Sequence, residues 1–277
     1  MVNCFRHPTS RLTIYCESLT KTFSFLACLA GKKMMKIFCI LILLISFSSV
    51  QAQDLTPLEI AKKTIAASGG EVWRRPKTLQ LSGTATLFWN GQAYKMTDYK
   101  MWRVYPDENN SAHTANGKVR FDAFEGDKIF FRLSFDGKSQ TQILSDAAKL
   151  NEESLKLNNN FGFSIFRFIE NPDFKLTRLP DDKIDGHPCY FIKITDAKKS
   201  DTIFGVDMKT FFIRYAAFQT PIALQQRFYD DFKWVKGVKF IQPRSLRIFN
   251  GGIKTTEVFW TEYKVNQPIA DEIFAVK

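Results

Sequence analysis

The sequence predicts an α+β domain in which one N-terminal helix precedes a large, meandering antiparallel sheet. Three observations predict it. A capped amphipathic segment ends at Gly69-Gly70. From Leu79 onward apolar residues alternate with polar ones, and short turns divide the alternation into strands. Residues 146–169 break that rhythm with helix formers and four phenylalanines, so an aromatic-rich helix or lid-like loop is expected between two runs of strands.

The chain first presents an export signal. Lys32, Lys33 and Lys36 precede an uncharged run, Ile37 to Ile45, and Val50-Gln51-Ala52 supplies a cleavage site. The apolar run is about half of the ~20 residues a spanning helix needs, which favours a signal peptide at 34–52 over an anchor. Residues 1–33 are expected to be an upstream extension, with Met34 or Met35 as the start. A lipoprotein signal ending at Cys28 leaves the second signal unexplained.

Cleavage after Ala52 leaves 225 residues as a single domain, 53–277, and lowers the net charge from +11 to about +6. Lysine and arginine are spread too evenly for a nucleic-acid stripe. Of five cysteines only Cys189 remains, so no internal disulfide can form. Twenty-two of the 27 phenylalanines remain as well, fit for an aromatic β core or for an apolar cavity.

Thr56-Pro57-Leu58-Glu59 has the residues of a capping box with proline at the first helical position. Leu58, Ala61, Ile65 and Ser68 then mark an apolar face. Leu79, Leu81, Gly83, Ala85, Leu87 and Trp89 form the first strand, and Asn90-Gly91 turns the chain into a second at 92–104. Further strands are expected at 118–124, 128–135 and 140–144, with Asp136-Gly137 as a turn. After the aromatic segment come 189–195, 202–207, 211–218, 225–234, 238–249 and 254–265. Such close spacing implies antiparallel neighbours.

Chemistry is sparse. His113 sits in a polar loop, and Asp185 and His187 share a turn just before Cys189. No Cys or His stands at zinc-ligand spacing. The pairs Asp181-Asp182, Asp230-Asp231 and Asp271-Glu272 are adjacent, so in extended chain their side chains point to opposite faces. A nucleophile elbow, a phosphate loop and a dinucleotide fingerprint are all missing from the sequence.

Several stretches together resemble the LolA/LolB-like lipoprotein-carrier domains, in an uncharacterised exported bacterial branch. They are Ser68-Gly69-Gly70 with Trp73 and Lys77-Thr78-Leu79, then Ile184-Asp185-Gly186-His187-Pro188-Cys189, then Val206-Asp207-Met208-Lys209-Thr210. Pro243 in a strand and Val265-Asn266-Gln267-Pro268-Ile269 complete the order. The resemblance implies a strongly curved, unclosed half-barrel whose concave face is covered by helices, with a cavity for acyl chains and no cofactor. It implies a non-enzymatic periplasmic monomer that carries lipid or lipid-modified protein and touches a membrane surface transiently. The aromatics chosen to line the cavity are Trp89, Trp102, Phe130, Phe161, Phe163, Phe166 and Phe168. The alternatives are a structural or partner-binding envelope protein without a cavity, and a hydrolase using Asp185 or His187.

Overall fold

The structure, a computed structural model, describes residues 55–105, 117–150, 152–155 and 163–275. The signal segment, the residues before it, His113 and Phe161 lie outside the described residues, and Phe163 is described through its backbone alone.

Helix α1 (Pro57–Ser68) begins on the expected capping box: the Thr56 hydroxyl accepts from the Glu59 backbone at 3.3 Å, and the Thr56 backbone donates to the Glu59 carboxylate at 2.8 Å. Its buried face is Ile60, Ala61, Thr64, Ile65 and Ser68, whereas Leu58 is exposed. The apolar face is therefore rotated from the one read in sequence, because α1 lies across the strands by its Ile60–Thr64 side. A second, single-turn helix, α2 (Glu71–Arg74), buries Trp73.

Twelve strands follow: β1 (Thr78–Trp89), β2 (Gln92–Val104), β3 (Lys118–Glu125), β4 (Lys128–Phe135), β5 (Gln140–Leu144), β6 (Lys175–Ile184), β7 (His187–Thr195), β8 (Asp201–Asp207), β9 (Ile213–Gln219), β10 (Leu224–Trp234), β11 (Ile241–Asn250) and β12 (Ile253–Val265). They form one antiparallel sheet in the order β5-β4-β3-β2-β1-β12-β11-β10-β9-β8-β7-β6, an unclosed, curved half-barrel. Two meanders, β1–β5 and β6–β12, meet where β1 pairs with β12, with Leu79 opposite Val265.

The Asn90-Gly91 hairpin takes φ of 51° and 75°, the left-handed pair a tight turn requires. β6 was not expected from sequence. It contains Pro180 and the Asp181-Asp182 pair, residues tolerated there because β6 is an edge strand with a register shift between Leu179 and Asp182.

The segment between the meanders holds a short helix, α3 (Asp146–Lys149), and 3₁₀ turns at Glu152–Leu155 and Phe163–Phe168. Phe166 is fully buried, edge-on to Trp73 at 5.7 Å and to Phe204 of β8 at 5.0 Å. Arg74 secures this turn by donating to the carbonyls of Phe166 (3.2 Å) and Arg167 (3.0 Å). The expected lid is thus packed into the core over the β7–β9 arm. The C-terminal 3₁₀ turn, Asp271–Phe274, packs on β3 and β4, where Arg120 and Ser134 donate to the Ile273 and Phe274 carbonyls.

Candidate functional site

α1, α2 and the Phe163–Phe168 turn fill the β6–β9 end of the half-barrel, and open space remains at the middle of the sheet, across the β1–β12 seam. Inward-facing residues of β1, β2, β3, β10, β11 and β12 enclose a cavity of about 210 Å³. Leu79, Leu81, Met101, Phe121, Leu246, Ile248, Val258 and Trp260 form apolar wall, and Tyr99, Tyr105, Tyr229, Tyr263 and Arg227 bring polar atoms to it. Alternation along each strand puts these side chains on one face.

The Tyr99, Tyr229 and Tyr263 phenols stay neutral across the ordinary pH range. Burial raises the pKa of Tyr99 and Tyr229, with the positive charge of Arg227 opposing it at both. Tyr263 is raised well above its ordinary value by burial and then by neighbouring tyrosines, and its hydroxyl donates to the Pro243 carbonyl at 2.8 Å. Arg227 donates through Nε to Gln225 at 2.8 Å and lies 5.0 Å from the Phe218 ring centre. The guanidinium groups of Arg103 and Arg167 stand 4.7 and 4.8 Å from the ring centre of Tyr105. Burial, then its cationic neighbours, depress the Arg103 pKa to about 10, against the opposing influence of Tyr105.

Of the seven aromatics chosen from sequence, the five whose side chains are described, Trp89, Trp102, Phe130, Phe166 and Phe168, are not among these lining residues. Trp89 and Phe130 are buried together at 5.6 Å in a cluster with Tyr94 and Phe131 near the β1–β2 hairpin. That cluster joins the cavity through Phe131, which meets Tyr99 edge-on at 6.2 Å. Trp102 follows cavity-lining Met101 in β2, so it points to the convex side, where Arg120 covers it at 5.5 Å. Phe166 is core, and half-buried Phe168 stacks on Phe174 at 5.2 Å. The lining residues that sequence reasoning missed are mostly tyrosines and aliphatics. Their signal was an inward strand position carrying a polar tip, as at Tyr99, Tyr229 and Tyr263.

The residues considered for catalysis do not assemble into a reactive group. Asp185 pairs with Arg247. His187 Nδ1 lies 3.6 Å from Asp207, whose other partners are Arg214 and the backbone of Lys209 and Thr210. Cys189 is fully buried, and burial followed by the Asp207 charge pushes its thiol up to about 11. Among the described residues no three His, Cys, Asp or Glu side chains could hold a metal ion, and no helix is long and apolar enough to cross a membrane.

No protein-family model matches the chain, and no curated protein does. Solved structures do. The chain is similar to a DUF1329 family protein from Desulfovibrio piger at 11% identity and a TM-score of 0.50, over 79% of this chain and 95% of that one. It is also similar to a putative outer membrane lipoprotein-sorting protein domain from Vibrio parahaemolyticus, at 15% identity and a TM-score of 0.47, over 78% and 95%. A LolA superfamily protein from Nitrosomonas europaea matches at 16% identity and a TM-score of 0.43, over 80% and 98%. At such identities the likeness is one of fold.

Proposed function

We propose that this protein is an exported, non-enzymatic binding or carrier protein for acyl chains, presented by lipid or by lipid-modified protein, and that it works as a monomer in the periplasm. The observation that carries the reading is the apolar cavity in the concave face, beside an arm where the same face is filled. Its ~210 Å³ lies below the ~300–1,000 Å³ usual for small-molecule sites, so it suits one chain segment rather than several chains.

The energetics suit transfer. Each buried CH2 gains roughly 0.8 kcal/mol over water, but a bilayer offers nearly the same, so the balance between cavity and membrane stays small and reversible. Aliphatic and aromatic walls supply that gain without stranding polar groups. A longer chain could be taken if Tyr99 and Phe131 moved, extending the cavity toward Trp89 and Phe130. Phe166 and Phe168 would then serve as the fixed wall of the neighbouring arm, and Phe161 and Phe163 belong to the same proposed aromatic set.

Lipid mass spectrometry after detergent-free purification, with titration of a fluorescent fatty-acyl probe, tests the reading. Co-purifying lipid or saturable probe binding supports it. An empty protein that binds no acyl probe overturns it and favours a partner-binding envelope protein.

A further inference from the structure

Arg227 is the one charged side chain among the described residues that line the cavity. Its surroundings differ from those of eight other described arginines. Arg74, Arg75, Arg120, Arg132, Arg178, Arg214, Arg244 and Arg247 each form an ion pair with a carboxylate. Arg227 has neutral partners instead: the Gln225 side-chain oxygen, the Phe218 ring and the Tyr229 phenol. Among the described residues no carboxylate is within ion-pair distance of it.

A half-buried guanidinium against apolar walls loses hydration that an anion would restore. Its fork of five N–H donors is engaged at Nε by Gln225, and further donors remain on the terminal nitrogens. The Tyr99 and Tyr229 hydroxyls beside it stay protonated, because burial raises their pKa, and they can donate as well.

Resting on the acyl-chain reading above, we infer that the cavity selects a long-chain monocarboxylate, with the carboxylate on Arg227 and the hydrocarbon along Leu81, Met101, Leu246 and Val258. A planar carboxylate matches one guanidinium fork with two oxygens. A phosphate monoester carries a second negative charge that a single guanidinium does not balance. A neutral ester-headed lipid leaves Arg227 without a counter-charge.

The test compares cis-parinaric acid with its methyl ester on the wild-type protein at pH 8 and low salt, using probe fluorescence. The acid should bind about tenfold more tightly than the ester. Arg227→Gln should abolish that preference, the acid losing far more affinity than the ester, and Arg227→Lys should keep part of it. Equal binding of acid and ester by the wild type overturns this inference and leaves the acyl cavity standing. Binding of neither overturns both. Lysophosphatidic acid displacing the probe better than palmitate overturns the carboxylate assignment. The wild-type ratio decides the matter even if Arg227→Gln fails to fold.

Discussion

Gly83 and Phe259 approach so closely across the β1–β12 pair that no side chain fits between them. A Cβ on Gly83 would stand 2.1 Å from the Phe259 carbonyl oxygen and 2.9 Å from the Trp260 Cα. The registers of β1 with β12 and with β2 both shift at this glycine. Such bulges bend a strand and increase its twist, so Gly83 marks a place where the half-barrel curves around its cavity.

Gly83→Ala should therefore destabilise the domain by about 1–3 kcal/mol or more, since backbone atoms must move to admit the methyl group. In a domain of this size each kcal/mol lowers Tm by roughly 2–4 °C, which thermal unfolding by circular dichroism resolves. An unchanged Tm would show that the two strands do not approach so closely.

Asp122 is 5% exposed by its side chain and holds two arginines, Arg120 at 2.7 Å and Arg132 at 3.0 Å. Asp122→Ala should cost about 3–5 kcal/mol, because it strands two largely buried cations. Glu262→Ala, which removes an exposed partner of Lys264, should change stability by no more than ~0.5 kcal/mol. Denaturant melts of the two variants give the contrast directly, and equal effects would refute it.

Leu246 lines the cavity and is only half-buried, so a larger side chain there can fill the space without unfolding the sheet. Leu246→Trp should weaken fatty-acyl probe binding by at least about tenfold with native circular dichroism retained. Undiminished binding would place the ligand elsewhere.

Asp207 supplies a pH dependence. Burial works against its charged form but is outweighed by the Arg214 hydrogen bond at 2.6 Å and by the Thr210 and Lys209 backbone donors, so its pKa is lowered. The unfolded carboxyl titrates near ~3.9. Its contribution is thus complete above about pH 5 and disappears as pH falls through the depressed folded value. Asp207→Asn should be less stable at neutral pH, and its stability should fall less steeply between about pH 5 and 2.

Cys189 should resist alkylation. With no exposed surface and a thiol pushed up to about 11, it is expected to react with iodoacetamide at pH 8 only after denaturant is added. Rapid labelling of the native protein, followed by intact mass, would contradict its placement.

Local chemistry made much of this fold readable in the sequence. The Thr56–Glu59 box, the Asn90-Gly91 turn and the alternation in β1 each act within a few residues, and their elements formed as expected. β6 escaped because Pro180 and two aspartates suppress a strand signal that its edge position tolerates. The cavity was less legible. Alternation shows that Leu81, Tyr99 and Trp89 point inward, but whether a given inward residue meets a neighbour or a void depends on which strands lie opposite. The Phe163–Phe168 segment shows the same limit, since Trp73 and Phe204, which cover Phe166, are remote in sequence.

The seam between the two meanders sets how this chain can assemble. Lys77 and Asn266, which tie its end together at 2.7 Å, are 189 positions apart, whereas every other strand pair joins neighbours along the chain. Pairings across long separations pay their loop-closure entropy before any contact rewards them, and they slow folding. Each meander can zip from its own hairpins, but β1 and β12 must find one another across almost the whole domain. Until they do, both strands present bare edges of the kind that recruit other chains. The step that completes the wall of the cavity is thus also the step at which a newly made chain is most exposed to aggregation.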